Sequence, residues 1–200
     1  IAASTILLES DRRTAPLVAP GAADLCRTFL SGSVIDRWFA KSVAWPFTRM
    51  LWRGLERLTL PGIMEHYWHR KGWIESRCQD ALTEGFERLV VIGAGFDTLG
   101  YRLSERFPKS EVVELDHPAT QGTKLRALIR DSTGIPSNLK FVGRDLSRQS
   151  FPSGLFDDSK SALFVIEGVL MYLSPSTVNQ LFDALRGLPA QRVRVIFSFM

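Results

Sequence analysis

The sequence predicts an α/β fold, in which a doubly wound, mostly parallel sheet follows a helical extension. Two observations carry this prediction. From residue 88 onwards, short apolar runs alternate with amphipathic segments of helical length, and such alternation favours parallel strands joined by crossover helices. All five tryptophans lie before residue 74, where the pattern indicates helices broken near Pro46 and Pro61. We therefore expect a helical extension over residues 1–85 and a core over residues 86–200, within one structural domain.

The elements of the core follow one another in a regular order. The first apolar run ends in glycines, which indicates a buried strand that leads into a tight turn. Right-handed crossovers then give a Rossmann-like sheet, in which ligands bind at the carboxyl ends of the strands. The predicted strands are Arg88–Ile92, Glu111–Leu115, Leu139–Val142, Ser161–Ile166 and Arg192–Phe199, and the predicted helices are Thr98–Phe107, Ala119–Arg130 and Pro175–Arg186.

Composition argues against several classes of protein. The net charge of +4 comes without a run of lysines and arginines, so we expect no nucleic-acid partner. No apolar stretch reaches the length of a membrane span, and we expect no membrane association. The two cysteines, Cys26 and Cys78, have neither a metal-binding spacing nor a disulfide framework. They indicate reduced thiols in a cytoplasmic protein without a metal site.

Acidic residues occur at the ends of four consecutive predicted strands. They are Asp97, which follows the glycine turn, Asp116 with its neighbour Glu114, Asp145 and Glu167. Packing of a core gives no reason for this pattern. Because the carboxyl ends of parallel strands meet at one edge of the sheet, the pattern predicts a ligand site there.

The glycine turn distinguishes between two classes of ligand. Gly93 and Gly95 suit a turn with positive φ that a ligand approaches closely. A dinucleotide fingerprint needs a third glycine where this chain has Thr98, and the Asp97 carboxylate would repel a pyrophosphate. S-adenosylmethionine carries a sulfonium and an ammonium group and no phosphate. An acidic pocket suits that cofactor.

Asp116 is the best candidate for binding a ribose. It lies 21 residues after Gly95, which is the usual place for an acid that accepts hydrogen bonds from both ribose hydroxyls. The position fits an adenosyl ligand and NAD equally, and a cap or turn before Pro118 is an alternative role. Asp145 fits the adenine edge or a simple cap. Glu167, among apolar neighbours, needs a partner: a ligand ammonium, a fixed water or a cap.

Four motifs in this order resemble the leucine carboxyl methyltransferase-like family, which includes O-methyltransferases of polyketide-type metabolites. They are V-V-I-G-A-G-F-D-T-L-G-Y-R-L, V-V-E-L-D-H-P, G-R-D-L and V-I-E-G-V-L-M-Y-L. The resemblance runs from about Gly62 to Leu185. It implies a class I methyltransferase sheet and S-adenosyl-L-methionine as the cofactor.

The resemblance also implies roles for individual residues. Arg70 would bind the carboxylate of the cofactor, with Lys71 as a rival. The other cofactor contacts that it implies are Gly93 and Gly95 along the turn, Asp116 at the ribose, Asp145 and Leu146 beside the adenine, and Glu167 at the methionine end. This chain has Leu99 where many relatives have arginine, and the two strands that usually follow the fifth are not visible before Met200.

Three functional hypotheses follow. The first is a methyltransferase acting on a carboxyl or hydroxyl oxygen of a small molecule or of a protein C-terminus. The second is an NAD-type oxidoreductase, and the third is a non-catalytic adenosyl-binding domain. No residue is assigned as a catalytic base. Trp38, Trp45 and Trp52 are seven apart, so packing as one buried helix face is favoured over contact with the substrate.

Overall fold

A computed structural model of the chain describes residues 2–32, 38, 42, 45–59, 61–132, 134–156 and 158–199. The described chain forms two compact units. The first unit comprises Ile1–Ser76, Phe96–Leu99 and Leu125–Gly134, and the second comprises Arg77–Gly95, Gly100–Lys124 and Ile135–Met200. The expected boundary between residues 85 and 86 stays a prediction.

The regular elements follow the expected alternation. The helices are α1 (Ala2–Glu9), α2 (Ala22–Phe29), α3 (Pro46–Thr59), α4 (Ile63–Thr83), α5 (Leu99–Arg106), α6 (Pro118–Arg130) and α7 (Pro175–Arg186). The strands are β1 (Arg88–Ile92), β2 (Glu111–Asp116), β3 (Leu139–Gly143), β4 (Ala162–Ile166) and β5 (Val193–Phe197). Short 3₁₀ helices occur at Ala15–Leu17, Ser153–Phe156 and Leu170–Tyr172.

The second unit contains a five-stranded sheet in the order β3-β2-β1-β4-β5. All its neighbouring strands are parallel. Every residue of β1 and β4 is buried, which is what central strands covered on both faces require. The outer strands β3 and β5 are only partly buried. The structure therefore confirms the α/β fold with a doubly wound parallel sheet.

The core of the second unit joins the sheet to α7. Leu181 and Leu185 of α7 pack with Phe164 of β4 and with Phe151 and Phe156 from the connection before it. The periodicity that predicted α7 thus reports a true core-facing stripe. Ser174 caps this helix, since its Oγ accepts a hydrogen bond from the Thr177 amide at 3.1 Å.

The first unit gives a correction about the tryptophans. Trp38, Trp45 and Trp52 are 71%, 66% and 42% exposed, so the expectation that they form one buried helix face is wrong. Trp45 precedes α3, which begins at Pro46. The break near Pro61 is confirmed, because that proline lies between α3 and α4. The buried tryptophan is Trp68 of α4.

The remaining general expectations concern thiols, metals and membranes. Cys26 and Cys78 are both buried and form no disulfide, as expected, while the cytoplasmic location stays a prediction. Within the described ranges, no group of three or more His, Cys, Asp and Glu side chains is placed to hold a metal ion. None of the described helices has the combined length and apolarity that spanning a bilayer would take.

An ionic network lies at the amino ends of β1 and β2, opposite the edge with the acidic pattern. The buried Arg88 donates from Nε to Glu111 Oε2 at 2.7 Å and from both terminal nitrogens to Asp158 at 2.8 and 2.7 Å. Lys140 donates to Glu111 Oε1 at 2.6 Å. Burial raises the pKa of Glu111, but the hydrogen bonds from Lys140 and Arg88 outweigh it and lower this pKa to about 2.

The low pKa of Glu111 predicts how the stability depends on pH. Since the folded-state pKa is about 2 and the ordinary value is 4.5, the ionised group stabilises the fold above pH 4.5, and this contribution disappears as the pH falls towards 2. We expect wild type to exceed Glu111→Gln in free energy of unfolding at pH 7, with a difference that shrinks between pH 5 and pH 3. Urea unfolding at each pH measures it. A difference that stays constant over this range would contradict the assignment.

Candidate functional site

Most of the predicted site residues meet at the carboxyl edge of the sheet in the second unit. Ile92, the last residue of β1, is in register with Leu115 of β2 and Ile166 of β4. Asp116 is in register with Gly143, the last residue of β3. Parallel strands that end level with one another bring the loops that follow them to one edge. The residues gathered there are Gly93, Gly95, Asp116, Asp145, Leu146 and Glu167.

The turn after β1 has the positive φ values that were expected at its glycines. Gly93 and Gly95 have φ values of +70° and +50°, a region that disfavours other residues. A Cβ on Gly93 would lie 2.0 Å from Val169 Cγ2. At Gly95 the closest atom to such a Cβ is Asp116 Oδ2, at 3.9 Å. Packing against Val169 therefore also excludes a side chain at position 93, and the close approach of a ligand stays a prediction.

This difference predicts unequal effects for two matched substitutions. Gly95→Ala adds only the left-handed backbone cost, about 1–2 kcal/mol. Gly93→Ala adds a clash with Val169 as well, and overpacking costs about 1–3 kcal/mol more. We expect Gly93→Ala to lower the free energy of unfolding clearly more than Gly95→Ala, as measured by urea unfolding. Val169→Ala should recover part of the loss in the Gly93→Ala background. Equal losses for the two alanine variants would contradict this account.

The Asp116 carboxylate is held by two backbone amides. Oδ2 accepts a hydrogen bond from the Gly95 N–H and Oδ1 accepts one from the His117 N–H, both at 2.5 Å. A carboxylate offers about four lone-pair positions, so each oxygen keeps capacity for a second donor. The side chain is only partly buried. The carboxylate can thus bind two neighbouring hydroxyl groups without losing its own anchors.

Glu114, considered beside Asp116 as an acid at this edge, is placed differently. It is fully buried, and Oε2 accepts a hydrogen bond from Lys124 Nζ at 2.5 Å. Glu114 is therefore not exposed to a ligand at the edge, and its interpretation as part of the acidic ligand site is wrong. The missed signal is Lys124, a lysine in the part of α6 that packs on β2.

Asp145 caps its own loop. Its Oδ1 accepts hydrogen bonds from the Ser147 hydroxyl at 2.6 Å and from the Ser147 amide at 3.0 Å. The hydroxyl bond from Ser147 is the main cause that lowers the pKa of Asp145. Oδ2 lies 3.9 Å from His117 Nε2 and 3.8 Å from Arg148 Nε. The capping role is observed, and contact with an adenine stays a prediction.

Leu146 and Glu167 complete the edge. Leu146 is partly buried against the core of the second unit. Glu167 directly follows β4 and is also partly exposed, so its apolar neighbours in the sequence do not enclose it. The loop that carries it is anchored because the Gly168 amide donates to Ser198 Oγ at 2.9 Å and the Ser198 amide donates to the Ile166 carbonyl at 3.0 Å. The cofactor contacts of Leu146 and Glu167 stay predictions.

Asp97, in the first unit, is charge-compensated. Its Oδ2 lies 2.5 Å from Lys71 Nζ, and its Oδ1 accepts hydrogen bonds from the amides of Thr98 at 2.6 Å and Leu99 at 3.1 Å. The interpretation of Asp97 as an acid that attracts a cationic ligand is therefore wrong. Asp97 disfavours a dinucleotide in another way, because it binds amides at the start of α5 that a pyrophosphate would need.

Arg70 also belongs to the first unit, on α4. Its guanidinium lies over the ring of Tyr67, with Cζ 4.8 Å from the ring centroid. Lys71, the rival for the carboxylate of the cofactor, is engaged by Asp97. The contact that the resemblance implies for Arg70 stays a prediction.

Comparisons with known proteins agree with the motifs. Residues 9–186 match the model of a family described as leucine carboxyl methyltransferase. Over 120 residues, the chain is 36% identical to a protein of Mycobacterium tuberculosis (strain ATCC 25618 / H37Rv) named "Putative S-adenosyl-L-methionine-dependent methyltransferase", covering 58% of this chain and 34% of that one. A protein of Mycolicibacterium vanbaalenii with the same name is 33% identical over 126 residues, covering 60% and 40%. The chain thus spans well under half the length of these relatives.

A solved structure from Methanococcus maripaludis, also described as a "putative s-adenosyl-l-methionine-dependent methyltransferase", aligns with a TM-score of 0.44 at 16% identity. The alignment covers 60% of this chain and 53% of that one.

Proposed function

The chain belongs to the leucine carboxyl methyltransferase family, and on that premise we propose that it is an S-adenosylmethionine-dependent O-methyltransferase. Its acceptor is a carboxyl or hydroxyl oxygen of a small, polyketide-like molecule, with a protein C-terminus as a variant of the same chemistry. The relatives from Mycobacterium tuberculosis and Mycolicibacterium vanbaalenii are named as S-adenosyl-L-methionine-dependent methyltransferases, which supports the cofactor and the methyl transfer.

One observation carries the proposal: the Asp116 carboxylate at the end of β2. The amides of Gly95 and His117 hold its two oxygens, each at 2.5 Å, and both oxygens can still accept a ribose hydroxyl. The residues therefore fit an adenosyl group. Asp116 and the glycine turn would hold the nucleoside, Asp145 and Leu146 would border the adenine, and Glu167 would bind the ammonium of the methionine part. Arg70 would pair with its carboxylate.

Methyl transfer requires little from the protein beyond alignment of the two reactants. When bound, the cofactor would supply an activated methyl group on a sulfonium, with the neutral thioether of S-adenosylhomocysteine as the leaving group. The protein contributes orientation of the two reactants and exclusion of water. A carboxylate acceptor is ionised at neutral pH and needs no base, whereas a phenol, with a pKa of about 10, benefits from one. We assign no residue as a base.

Transfer of a radiolabelled methyl group to matched acceptors tests the proposal. The panel consists of a naphthoic acid, the corresponding naphthol and the corresponding naphthylamine. We expect label on the acid or the naphthol and none on the amine. Treatment with base separates the two oxygen products, because a methyl ester releases volatile methanol and an aryl ether does not. Label found on the amine alone would contradict O-methylation.

A pair of peptides separates small-molecule acceptors from protein acceptors. One peptide ends in a free leucine carboxylate and the other ends in the corresponding amide. We expect neither peptide to accept label at a rate near that of the naphthoic acid or naphthol that is methylated. Efficient labelling of the free peptide alone would replace the small molecule with a protein C-terminus as the acceptor.

A further inference from the structure

Lys124 of α6 and Glu114 of β2 form an ion pair inside the second unit. Both side chains are fully buried, and Lys124 Nζ donates to Glu114 Oε2 at 2.5 Å. Removing two charges from water costs about as much as their attraction returns, so such a pair adds little stability over apolar side chains of the same size. Its presence calls for a role in geometry.

The pair lies next to the carboxylate that carries the proposed function. Glu114 and Asp116 are two residues apart on β2 and so belong to the same face of the sheet. Gln121 of α6 donates from Nε2 to the Glu114 carbonyl at 3.1 Å. Lys124, about one turn further along α6, binds the side chain of Glu114. Helix α6 is therefore attached to β2 at two points just before the strand ends.

Gly100 of α5 lies against the side chain of Glu114. A Cβ at this position would lie 2.5 Å from Glu114 Oε1 and 2.8 Å from Glu114 Cγ. The side chain of Glu114 thus fills the space that any larger residue at position 100 would occupy. Enclosed between Gly100 and Lys124, Glu114 has one well-defined place.

The geometry links this pair to Asp116. The turn between β2 and α6 consists of His117, whose amide donates to Asp116 Oδ1 at 2.5 Å. A shift of α6 along β2 would move that amide and turn the carboxylate. We propose that Lys124 is a positioning residue for cofactor binding: through Glu114 it holds α6 against β2 and keeps Asp116 oriented towards the ribose hydroxyls. The inference rests on the proposed function.

A charge-neutral double variant, Glu114→Gln with Lys124→Met, tests the inference. It removes the attraction and leaves no isolated buried charge. Lys124→Met alone, by contrast, would leave the buried Glu114 carboxylate without its partner. We expect a melting temperature close to that of wild type and a dissociation constant for S-adenosylhomocysteine that rises about tenfold. Gln121→Leu removes only the hydrogen bond from α6 to the Glu114 carbonyl and leaves no buried charge without a partner. It should raise the dissociation constant about threefold.

A mutant cycle separates positioning from a general weakening of the fold. If Lys124 acts through Asp116, the double substitution should change binding less than about twofold when Asp116→Asn is already present. If the decreases in affinity from the double substitution and from Asp116→Asn multiply in full, the inference is overturned. Arg88→Met, at the opposite end of the sheet, is the matched control: it should lose stability and keep the wild-type dissociation constant.

The outcomes for this inference and for the proposed function are distinct. If wild type fails to bind S-adenosylhomocysteine, the proposed function fails, and the inference fails with it. If wild type binds and the double variant binds as tightly, only the positioning role of Lys124 is overturned.

Discussion

Asp116→Ala should raise the dissociation constant for S-adenosylhomocysteine at least about a hundredfold. The carboxylate would accept two charge-assisted hydrogen bonds from the ribose, and hydrogen bonds to charged groups are worth about 1.5–3 kcal/mol each. A loss of about 3 kcal/mol corresponds to roughly a hundredfold in affinity. The substitution also removes the acceptor for the amides of Gly95 and His117, which loosens the turn after β1. Isothermal calorimetry measures the change.

Two variants control this experiment. Asp183→Asn alters an exposed carboxylate on α7 and should leave the affinity unchanged. Asp116→Asn keeps one oxygen and the size of the side chain, so its dissociation constant should lie between those of wild type and Asp116→Ala. An alanine variant that binds as tightly as wild type would refute the assignment of Asp116 to the ribose.

Arg88→Met should lower the free energy of unfolding by about 3 kcal/mol, because it removes hydrogen bonds to two carboxylates, and hydrogen bonds to charged groups are worth about 1.5–3 kcal/mol each. The side chain of Arg88 is only 4% exposed, and its guanidinium binds Glu111 and both oxygens of Asp158. Methionine fills most of the same volume but supplies no donor. Urea or thermal unfolding measures the loss.

The matched control for Arg88 is Arg186→Met. Arg186 pairs with Asp183 three residues away on α7, and both side chains are more than two-thirds exposed. Exposed pairs of this kind contribute about 0.5 kcal/mol or less. Losses of the same size at positions 88 and 186 would show that the network at the amino ends of β1 and β2 does not stabilise the fold as its burial indicates.

Periodicity predicted the sheet well because the strands of a parallel sheet are buried on both faces. Arg88–Ile92 is an uninterrupted apolar run after its first residue, and all five of its residues are buried. The glycines mark the end of β1 for the same physical reason that they occupy the turn, a positive φ. Strand ends in register then place Asp116 and the loops after β3 and β4 at one edge.

The contacts that depend on residues distant in sequence could not be predicted. Gly93 has a second reason to be glycine in Val169, which lies 76 residues later and meets it only through the pairing of β1 with β4. Asp97 appears as an unpaired acid in its motif, yet Lys71 compensates it. Charge at a strand end indicates a polar site, but only the fold shows which acids are already neutralised.

The heptad spacing of the tryptophans misled for a related reason. A spacing of seven fits a helix face, but it does not say that another element packs on that face. In the described structure, Trp38 and Trp45 precede α3, and Trp52 within it is partly exposed. Contact between the tryptophan-rich region and an acceptor, which the spacing disfavoured, stays an alternative hypothesis.

Calorimetric titration of the protein with S-adenosylhomocysteine and, in parallel, with NAD tests the central claim most directly. The Asp116 carboxylate would suit the ribose of either ligand, whereas Asp97 Oδ1 already binds the Thr98 and Leu99 amides that a pyrophosphate would need. We therefore expect saturable binding of S-adenosylhomocysteine at one site and no measurable heat with NAD. Binding of NAD without binding of S-adenosylhomocysteine would contradict the account.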